Sequence, residues 1–225
     1  MKISIIIPVY KEENNINKTI ENIYKTQNNI DFEIIVSDSE QNQSTLNVIT
    51  NKNIIKVVSN KGRAKQMNTG SFYANGDILL FLHADTILSV DSLVKIEKVI
   101  NSGFLAGAFD LKIDSNKFIF RIIERVSSIR SRLTKVPYGD QGIFIKKDIF
   151  DRLGKFKEIP LMEEVELMIT LKKKNHRIFI INSPIITSAR RWKKEGIIYC
   201  TLRNWLLITL YLLGVSPNQL VKFYK

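Results

Sequence analysis

Short apolar runs alternate with stretches of helical periodicity in the first third of the chain. Continuous apolar segments at residues 3–9, 33–37, 54–58 and 78–82 predict four strands. Between them, apolar residues recur three or four positions apart and predict helices near residues 16–24, 45–50 and 64–74. Strands that are apolar throughout and alternate with helices are typical of a parallel sheet covered on both faces. The pattern therefore predicts an α/β fold.

The pattern changes beyond residue 85, although helices and strands still alternate. Helices are predicted at residues 92–100, 118–132 and 163–174, and strands at 107–113, 142–146 and 177–181. The helix at 118–132 is amphipathic, and we expect its arginine side to be the solvated one. Its apolar side holds Ile119, Ile122, Ile123, Val126 and Ile129, and its basic side holds Arg121, Arg125 and Arg132.

The tail from residue 197 onward is predicted to be helical, and it is hydrophobic on most sides between Trp205 and Leu213. This run is shorter than the ~20 residues that a membrane-spanning helix needs. Two interpretations remain. The tail packs on the core, which we favour, or it lies in a membrane interface with Trp205, Tyr211 and Tyr224 as anchors.

Composition indicates an ordinary globular protein. The chain has 225 residues, of which 44% are hydrophobic and 25% charged, so we expect a single compact domain. Cys200 is the only cysteine, and His83 and His176 are the only histidines, which excludes a disulfide framework and argues against a zinc site. The opening apolar run is too short for a signal peptide. A reducing, cytoplasmic location is expected.

Positive charge is concentrated in the second half of the chain. The formal net charge is +12, with −1 in residues 1–111 and +13 in residues 112–225. Such a surface can serve solubility alone, or it can face an anionic membrane or a lipid-phosphate partner. The sequence carries no helix-turn-helix, zinc-finger or RNA-recognition signature, so we expect no nucleic-acid partner.

Asp85 is the most informative single residue, because it follows the apolar strand at 78–82 after only two residues. Ligands of open α/β sheets bind at the carboxyl ends of strands. Asp85 is therefore placed to hold a divalent cation against a diphosphate. An aspartate after a strand is more commonly a turn residue or a helix cap, so this feature alone does not decide.

Several segments resemble family 2 glycosyltransferases of the GT-A fold. Residues 4–13 are similar to the opening strand of that family, which ends in Pro-x-Tyr-Asn-Glu beside the nucleotide, with Lys11 here in place of the usual Asn. Residues 33–38 look like its second strand, and residues 62–77 look like the helix that leads to the metal strand. Residues 83–85 then occupy the position of the family's Asp-x-Asp motif.

The resemblance continues along most of the chain. Residues 81–86, 137–142, 160–167 and 189–192 together look like a bacterial subgroup of these transferases with unassigned substrates. It implies a nucleotide-diphospho-sugar transferase of α/β class, with a mostly parallel central sheet flanked by helices. It also implies one domain over residues 1–225. Residues 1–111 would be the nucleotide-sugar-binding half, and 112–225 the acceptor half with hydrophobic C-terminal helices.

The resemblance assigns a donor site and a metal site. The second strand's terminal aspartate, here Asp38, would hydrogen-bond uracil or ribose, and Arg63 is a candidate for the phosphates. Residues implied to bind the nucleotide are Pro8, Tyr10, Glu12, Asp38 and Arg63. Asp85 would hold Mg²⁺ or Mn²⁺ between the phosphates, and His83 replaces the first aspartate of the motif as a second candidate ligand.

Catalytic and acceptor roles are implied for the second half. Glu163 and Glu164 match the family's Glu-Asp pair, which puts Glu164 at the position of the catalytic base. Carboxylates at a helix start also suit the helix dipole. Asp140 is an alternative carboxylate, and the turn at Gly139 would contact the donor sugar or acceptor.

A basic and aromatic triplet resembles the family's Gln-x-x-Arg-Trp element, although the Gln is missing. In that element the arginine engages the diphosphate and the tryptophan forms a platform for the acceptor. The residues that carry the resemblance are Arg190, Arg191 and Trp192.

Three functions remain open at this point. We favour a glycosyltransferase that moves a hexose-like unit from a nucleotide-sugar donor, with UDP favoured over GDP, with inversion and metal assistance. Its acceptor is unidentified, and a lipid-linked or membrane-associated acceptor at the inner face of the membrane is a candidate. A nucleotidyltransferase is the second reading, but it usually carries a Gly-rich basic loop after the first strand, which is lacking here. A non-catalytic scaffold on anionic membranes is the third. The oligomeric state is not indicated.

Overall fold

A computed structural model describes residues 1–26 and 30–224 and contains one mixed sheet of seven strands in that range. In chain order the strands are β1 (Ile3–Val9), β2 (Phe32–Asp38), β3 (Ile55–Val58), β4 (Ile78–Phe81), β5 (Ala106–Asp114), β6 (Ile143–Lys146) and β7 (Ile178–Ser188). Across the sheet their order is β3-β2-β1-β4-β6-β5-β7. Only β6 runs against its neighbours, so the expected α/β class with a mostly parallel sheet is confirmed.

Helices connect the strands and cover both faces of the sheet. The helices of the first half are α1 (Ile16–Thr26), α2 (Ser44–Asn47), α3 (Arg63–Phe72) and α4 (Ser92–Asn101). Those of the second half are α5 (Phe118–Thr134), α6 (Lys147–Arg152), α7 (Glu163–Lys173), α8 (Arg190–Glu195), α9 (Ile197–Leu212) and α10 (Pro217–Leu220). Short 3₁₀ turns lie at Gly139–Gln141 and Val221–Phe223.

The two faces of the sheet carry separate cores because successive side chains of a strand point to opposite faces. Ile5 and Ile7 of β1 pack in the core that contains α1 and α4. Ile6, between them, packs with α3 and α7 in the core on the other face. All three are fully buried, and a buried isoleucine contributes about 1.5–3 kcal/mol. This two-sided burial explains why the strands are apolar throughout.

The predicted strands and longer helices are confirmed, with one strand considerably longer than expected. The strand predicted at 177–181 continues to Ser188 as β7. Its register with β5 shifts between Phe109 and Asp110, where Ile181 and Pro184 are the successive partners on β7. Such a bulge accommodates Pro184, because β7 lies at the edge of the sheet and a proline there costs no central hydrogen bond.

The solvated face of α5 differs from the expectation. Small serines, among them Ser128 and Ser131, face inward and let the helix approach β5 closely; Ser128 Oγ accepts a hydrogen bond of 3.3 Å from Leu111 N. Of the five apolar residues expected to be covered, Ile123 is buried, but the other four are exposed. The exposed four are Ile119, Ile122, Val126 and Ile129, and Phe118 and Leu133 of the same helix are exposed as well.

The hydrophobic tail, α9, packs on the core through one side only. Cys200, Leu207 and Ile208 are buried, which agrees with the favoured interpretation for that side. Tyr211 is half-buried and donates its hydroxyl to Glu166, and Tyr224 lies under the Arg191 guanidinium, so neither is an interfacial anchor as the second interpretation expected. Within residues 1–26 and 30–224, no helix has the length and apolar character needed to cross a membrane.

Candidate active site

A cleft of about 460 Å³ opens at the carboxyl ends of β1 and β4. These strands are neighbours, and β2 lies on the other side of β1, so the chain connections diverge at this point of the sheet. Such switch points form ligand crevices in α/β proteins. Thirteen of the fourteen predicted site residues line the cleft: Pro8, Tyr10, Glu12, Arg63, His83, Asp85, Gly139, Asp140, Glu163, Glu164, Arg190, Arg191 and Trp192.

Asp38 is the exception, because it does not reach the cleft. It is 0% exposed at the end of β2, and its Oδ1 accepts a hydrogen bond of 2.8 Å from Glu40 N. Its Oδ2 has no partner within the part of the chain that the structure describes. Burial raises the pKa of this carboxyl, while backbone N–H groups oppose the shift. Asp38 thus holds the turn that follows β2, and its contact with uracil or ribose stays a prediction.

Arg190 joins two carboxylates at the mouth of the cleft. Its guanidinium donates to Glu12 at 2.7 and 3.3 Å, and its Nη2 lies 3.5 Å from Asp85 Oδ2. Asn15 supports Glu12 with a further hydrogen bond of 2.6 Å. Burial raises the pKa of Asp85, and Arg190 opposes that shift. Two carboxylates, one from the end of β1 and one from the end of β4, therefore converge on a single cation.

A second cluster lies where α7 begins. Glu163 and Glu164 are buried in the first turn of α7, where the helix dipole favours negative charge. Arg63, the first residue of α3, reaches across to them at 3.8 Å and 3.6 Å. Burial and the neighbouring Glu164 carboxylate raise the pKa of Glu163. Two adjacent buried carboxylates cannot both stay charged at low cost, so Glu163 holds a proton more readily than an ordinary glutamate.

His83 lies on the same side as this cluster. Its Nε2 is buried without a hydrogen-bond partner in the described residues. Burial and, secondarily, the charge of Arg63 lower the pKa of His83 to about 3, so the imidazole is neutral. A methyl group added at Gly139 would lie 3.2 Å from His83 Nε2 and would clash with the Glu164 carboxylate. Glycine at this position therefore lets the three groups meet.

The turn that carries Asp140 is held by a buried glutamine. Gln141 Oε1 accepts hydrogen bonds from Ser131 Oγ at 2.7 Å and from Tyr138 N at 3.1 Å, while its Nε2 donates to a β5 carbonyl at 2.8 Å. Arg130 stacks on the Tyr138 ring at 3.7 Å. Burial raises the pKa of Asp140 to about 6, opposed by Arg130 and assisted by Glu164. Asp140 is thus a carboxyl that titrates near neutral pH.

Some residues of the site were not singled out from the sequence. Gln66 of α3 is buried and donates to Val9 O at 2.6 Å and to Ser37 O at 3.0 Å, which ties the ends of β1 and β2 together. Tyr138 and Tyr224 also line the cleft. Gln66 and Tyr138 lie inside motif segments that the sequence did indicate, but nothing in the sequence places Tyr224 in the cleft.

Lys11 departs from the family pattern, and its backbone conformation explains which residue is usual there. It adopts a left-handed conformation with φ 57° directly after β1. Asparagine tolerates this region better than other residues with a side chain, which accounts for the usual asparagine of the family at this position. The backbone shape is therefore retained here with a less suited residue.

A divalent cation fits this site only with help from a substrate. Among the residues that the structure describes, no group of three or more His, Cys, Asp or Glu side chains is arranged to hold a metal ion. Asp85 and Glu12 nevertheless share one cation already, the Arg190 guanidinium. Mg²⁺ and similar ions commonly use one or two carboxylates together with substrate phosphates, so the donor set suits a substrate-completed metal site.

Solved structures share this architecture. A mannosyltransferase from Pyrobaculum calidifontis, solved with GDP-Man and Mn²⁺, superposes with a TM-score of 0.71 at 18% identity, covering 96% of this chain and 66% of that one. The S. aureus TarS fragment 1–349, solved with UDP-GlcNAc, gives 0.65 at 17% identity and covers 84% of this chain. This chain spans 58% of the length of that fragment. Similarity at these identities establishes the fold.

Curated proteins give a consistent result. An Escherichia coli protein is 27% identical over 207 residues, which cover 87% of this chain and 79% of that one. Its name is UDP-Glc:alpha-D-GlcNAc-diphosphoundecaprenol beta-1,3-glucosyltransferase WfgD. A poly(ribitol-phosphate) beta-glucosyltransferase of Bacillus spizizenii is 28% identical over 104 residues, which are 42% of this chain and 16% of that protein.

The family model for glycosyl transferase family 2 matches residues 4–157, which include β1 to β6 and the carboxylates Glu12, Asp85 and Asp140. This range is more than half of the chain. Together with the mixed sheet and the GT-A glycosyltransferases that superpose on it, the match establishes that the chain belongs to glycosyl transferase family 2 and has the GT-A fold.

Proposed function

We propose that the chain transfers a hexose from a UDP-activated donor to a hydroxyl group of a lipid-linked acceptor, with inversion and with the help of a divalent cation. One observation carries the proposal. Carboxylates and arginines from six separate parts of the chain converge on one cleft at the switch point of the sheet. A leaving diphosphate needs cations, and an acceptor hydroxyl needs a base, and both are present there.

The donor would lie along the β1 side of the cleft. Tyr10 follows β1, is 46% exposed, and has the Lys61 ammonium 5.5 Å from its ring centre, which gives a flat and electropositive platform for a base. Arg63 faces the cleft from α3, and Arg191 is held over the Tyr224 ring at 3.8 Å. Planar guanidinium groups match phosphate oxygens well, so these two arginines would bind the diphosphate.

Glu164 would act as the base. In an inverting transfer, the acceptor oxygen attacks the anomeric carbon while the bond from that carbon to the diphosphate breaks. The hydroxyl proton passes to the Glu164 carboxylate, and the negative charge moves to the diphosphate. Burial and the neighbouring carboxylate raise the pKa of Glu163, which favours its neutral form, and we assign the proton-accepting role to Glu164. Because residue 139 is a glycine, no side chain there crowds the Glu164 carboxylate.

Asp85 and Glu12 would hold the metal, with His83 close enough to the cleft to contact a phosphate oxygen. Bound there, Mn²⁺ or Mg²⁺ would neutralise the charge that develops on the leaving group. The mannosyltransferase structure contains Mn²⁺, which supports a metal in this family. When no nucleotide-sugar is bound, Arg190 lies between the two carboxylates. It would move to the diphosphate when a metal takes its place.

The acceptor proposal rests on chemistry and on one relative. The Escherichia coli protein acts, by its name, on a diphosphoundecaprenol-linked sugar. The second half of this chain carries a net charge of +13, which suits a lipid diphosphate on the cytoplasmic side of a membrane. Trp192 lines the cleft and would form the acceptor platform. Residues 1–111 would thus serve mainly the donor and residues 112–225 mainly the acceptor.

A donor panel tests the proposal directly. Purified protein is mixed with UDP-glucose, UDP-GlcNAc or GDP-mannose, with Mn²⁺, Mg²⁺ or EDTA, and with or without a GlcNAc-diphosphoundecaprenol acceptor. We expect one UDP-sugar to raise the melting temperature and to release UDP when metal and acceptor are both present. If no sugar nucleotide binds under any condition, the proposal is wrong. Release of pyrophosphate from UTP and a sugar phosphate would identify a nucleotidyltransferase instead.

A further inference from the structure

Helix α9 has an outer face that nothing in the described part of the chain covers. Its exposed residues are Ile198, Tyr199, Leu202, Trp205, Leu206, Leu212 and Leu213, with Ile198 at 70% and Leu213 at 77% exposure. Arg203 is the only charged residue between Ile197 and Leu212, and it points inward, 8% exposed, with Glu195 at 2.6 Å. The helix therefore buries its charge and presents an uncharged apolar side outward, the reverse of an ordinary surface helix.

The first turns of α5 continue this surface. Phe118 is 77% exposed, and Ile119 and Ile122 are also exposed. An apolar crevice of about 620 Å³ lies between the two helices, with Ile119 and Phe120 on the α5 side and Ile197, Ile198 and Tyr199 on the α9 side. The two helices thus contribute to one continuous apolar area, which we call the α5/α9 surface. Exposed apolar areas of this kind mark sites of interaction.

Basic residues surround the α5/α9 surface. Lys117 and Lys193 are exposed and line the crevice, and Lys194 is exposed beside them. The nearby Glu195 carboxylate is taken up by ion pairs with Arg191 and Arg203. An apolar centre with a cationic border matches the interface of a bilayer that contains anionic lipids, where apolar side chains enter the acyl boundary and lysines meet the headgroups.

A second copy of the chain is a poorer occupant of this surface. Two copies that met face to face would bring their lysine borders together, and like charges across an interface oppose association. The chain as a whole carries a net charge of +12, which adds to the repulsion. An anionic bilayer would attract these lysines instead of repelling them. Charge complementarity therefore favours the membrane over a second copy.

We infer that the α5/α9 surface docks the protein onto the interface of an anionic phospholipid bilayer. Trp192 lines both the crevice and the catalytic cleft, so the docked surface borders the mouth of the site. If the acceptor is lipid-linked, as proposed above, docking brings the cleft to the depth at which the acceptor's headgroup lies. The docking itself does not depend on that acceptor.

Vesicle binding tests the inference. The full chain is sedimented with vesicles of phosphatidylglycerol and phosphatidylethanolamine, or of phosphatidylcholine alone. We expect strong binding to the anionic vesicles, and at least tenfold weaker binding for the double variant Leu202→Glu, Leu206→Glu. Phe72→Glu is the matched control, because Phe72 is 74% exposed on α3 and lies outside both the crevice and the cleft. It should bind as the unmodified chain does.

Fluorescence gives a second measurement, in which the outer face of α9 stays unchanged. The chain has two tryptophans, so a Trp192→Phe variant leaves Trp205 as the only reporter. Brominated lipids should quench Trp205, which is 38% exposed on the outer face of α9. Unquenched Trp205, or equal vesicle binding by the double variant, would overturn the inference. So would light scattering that shows a dimer which the double variant dissolves, because the surface would then be covered by a second copy.

The outcome of the vesicle experiment does not depend on the outcome of the donor experiment. UDP-sugar binding in the absence of lipid tests the proposed function, and none of Leu202, Leu206 or Phe72 lines the cleft. A protein that binds UDP-sugar but ignores vesicles would refute the docking alone. A protein that binds vesicles but no sugar nucleotide would refute the transferase proposal alone.

Discussion

Arg190 donates to both carboxylate oxygens of Glu12, although the two residues are 178 positions apart in the chain. The same guanidinium lies 3.5 Å from Asp85. This contact connects the segment after β7 with the ends of β1 and β4. It also places a positive charge between the two carboxylates that we propose as metal ligands.

Removal of this charge should expose the proposed metal ligands. Without a nucleotide, a divalent cation must displace the guanidinium from Glu12 and Asp85. Arg190→Ala should therefore bind Mn²⁺ about threefold to tenfold more tightly than the unmodified chain, as expected for loss of a partly exposed ion pair. Titration calorimetry without donor measures this. Arg152→Ala, which removes an exposed pair with Asp148, is the control. Unchanged or weaker Mn²⁺ binding by Arg190→Ala would show that the two carboxylates do not hold the metal.

Glu163 and Glu164 should respond differently to the same substitution. Glu164→Gln removes the proposed base and should lower kcat by about 10²- to 10⁴-fold, with little change in donor affinity. Glu163→Gln replaces a carboxyl whose raised pKa already favours the neutral form, so its effect on kcat should be about tenfold or less. Release of UDP gives kcat, and calorimetry gives donor affinity. Equal losses in the two variants would contradict the assignment of the base.

Gly139→Ala should lower activity strongly while leaving the fold intact. The added methyl group would clash with the Glu164 carboxylate and press on His83. A displacement of the base by about 1 Å is expected to lower kcat roughly 10²-fold. Gly154→Ala is the matched control, because its methyl group meets nothing within 4 Å but its φ of +82° is strained. That control should lose about 1 kcal/mol of unfolding free energy and keep its activity. Full activity in Gly139→Ala would mean that Glu164 is free to move.

Asp140 should make stability fall as the pH rises from about 4 to about 6. Burial raises the pKa of this carboxyl to about 6, so the folded chain keeps a proton that the unfolded chain has already lost in this range. Stability decreases with pH wherever the folded state binds more protons. Asp140→Asn should remove this component and raise the unfolding free energy above pH 6 by on the order of 2 kcal/mol. Urea denaturation between pH 4 and pH 8 measures it. A parallel decline in the variant would assign the effect to another group.

Sequence patterns identified the sheet because its strands are buried on both faces. β1 and β4 consist almost entirely of apolar residues, so their apolar runs coincide with the observed strands. The pattern failed where tertiary packing overrode it. The predicted strand ended at residue 181, yet the edge of the sheet admits Pro184 through a bulge in β7. On α5 the serines are buried together with Phe120 and Ile123, while most of the isoleucine-rich side is exposed.

The site was predictable where its residues belong to local motifs and unpredictable where distant segments meet. Glu12, Asp85 and Glu164 each stand at the end of a strand or the start of a helix, and all three line the cleft. Asp38 stands in an equivalent position but turns into its own loop, where Oδ1 accepts from the backbone N–H of Glu40. The contribution of Tyr224 depends on how the segment after α9 packs against Arg191, which no local pattern contains.

Glu195 bridges two arginines that serve different surfaces. It accepts from Arg191, which faces the cleft, at 3.0 Å, and pairs with Arg203, which anchors α9, at 2.6 Å. Because both contacts end on one carboxylate, a shift of α9 would strain the pair between Glu195 and Arg191. The position of the outer helix is therefore linked, through a single side chain, to an arginine that lines the cleft.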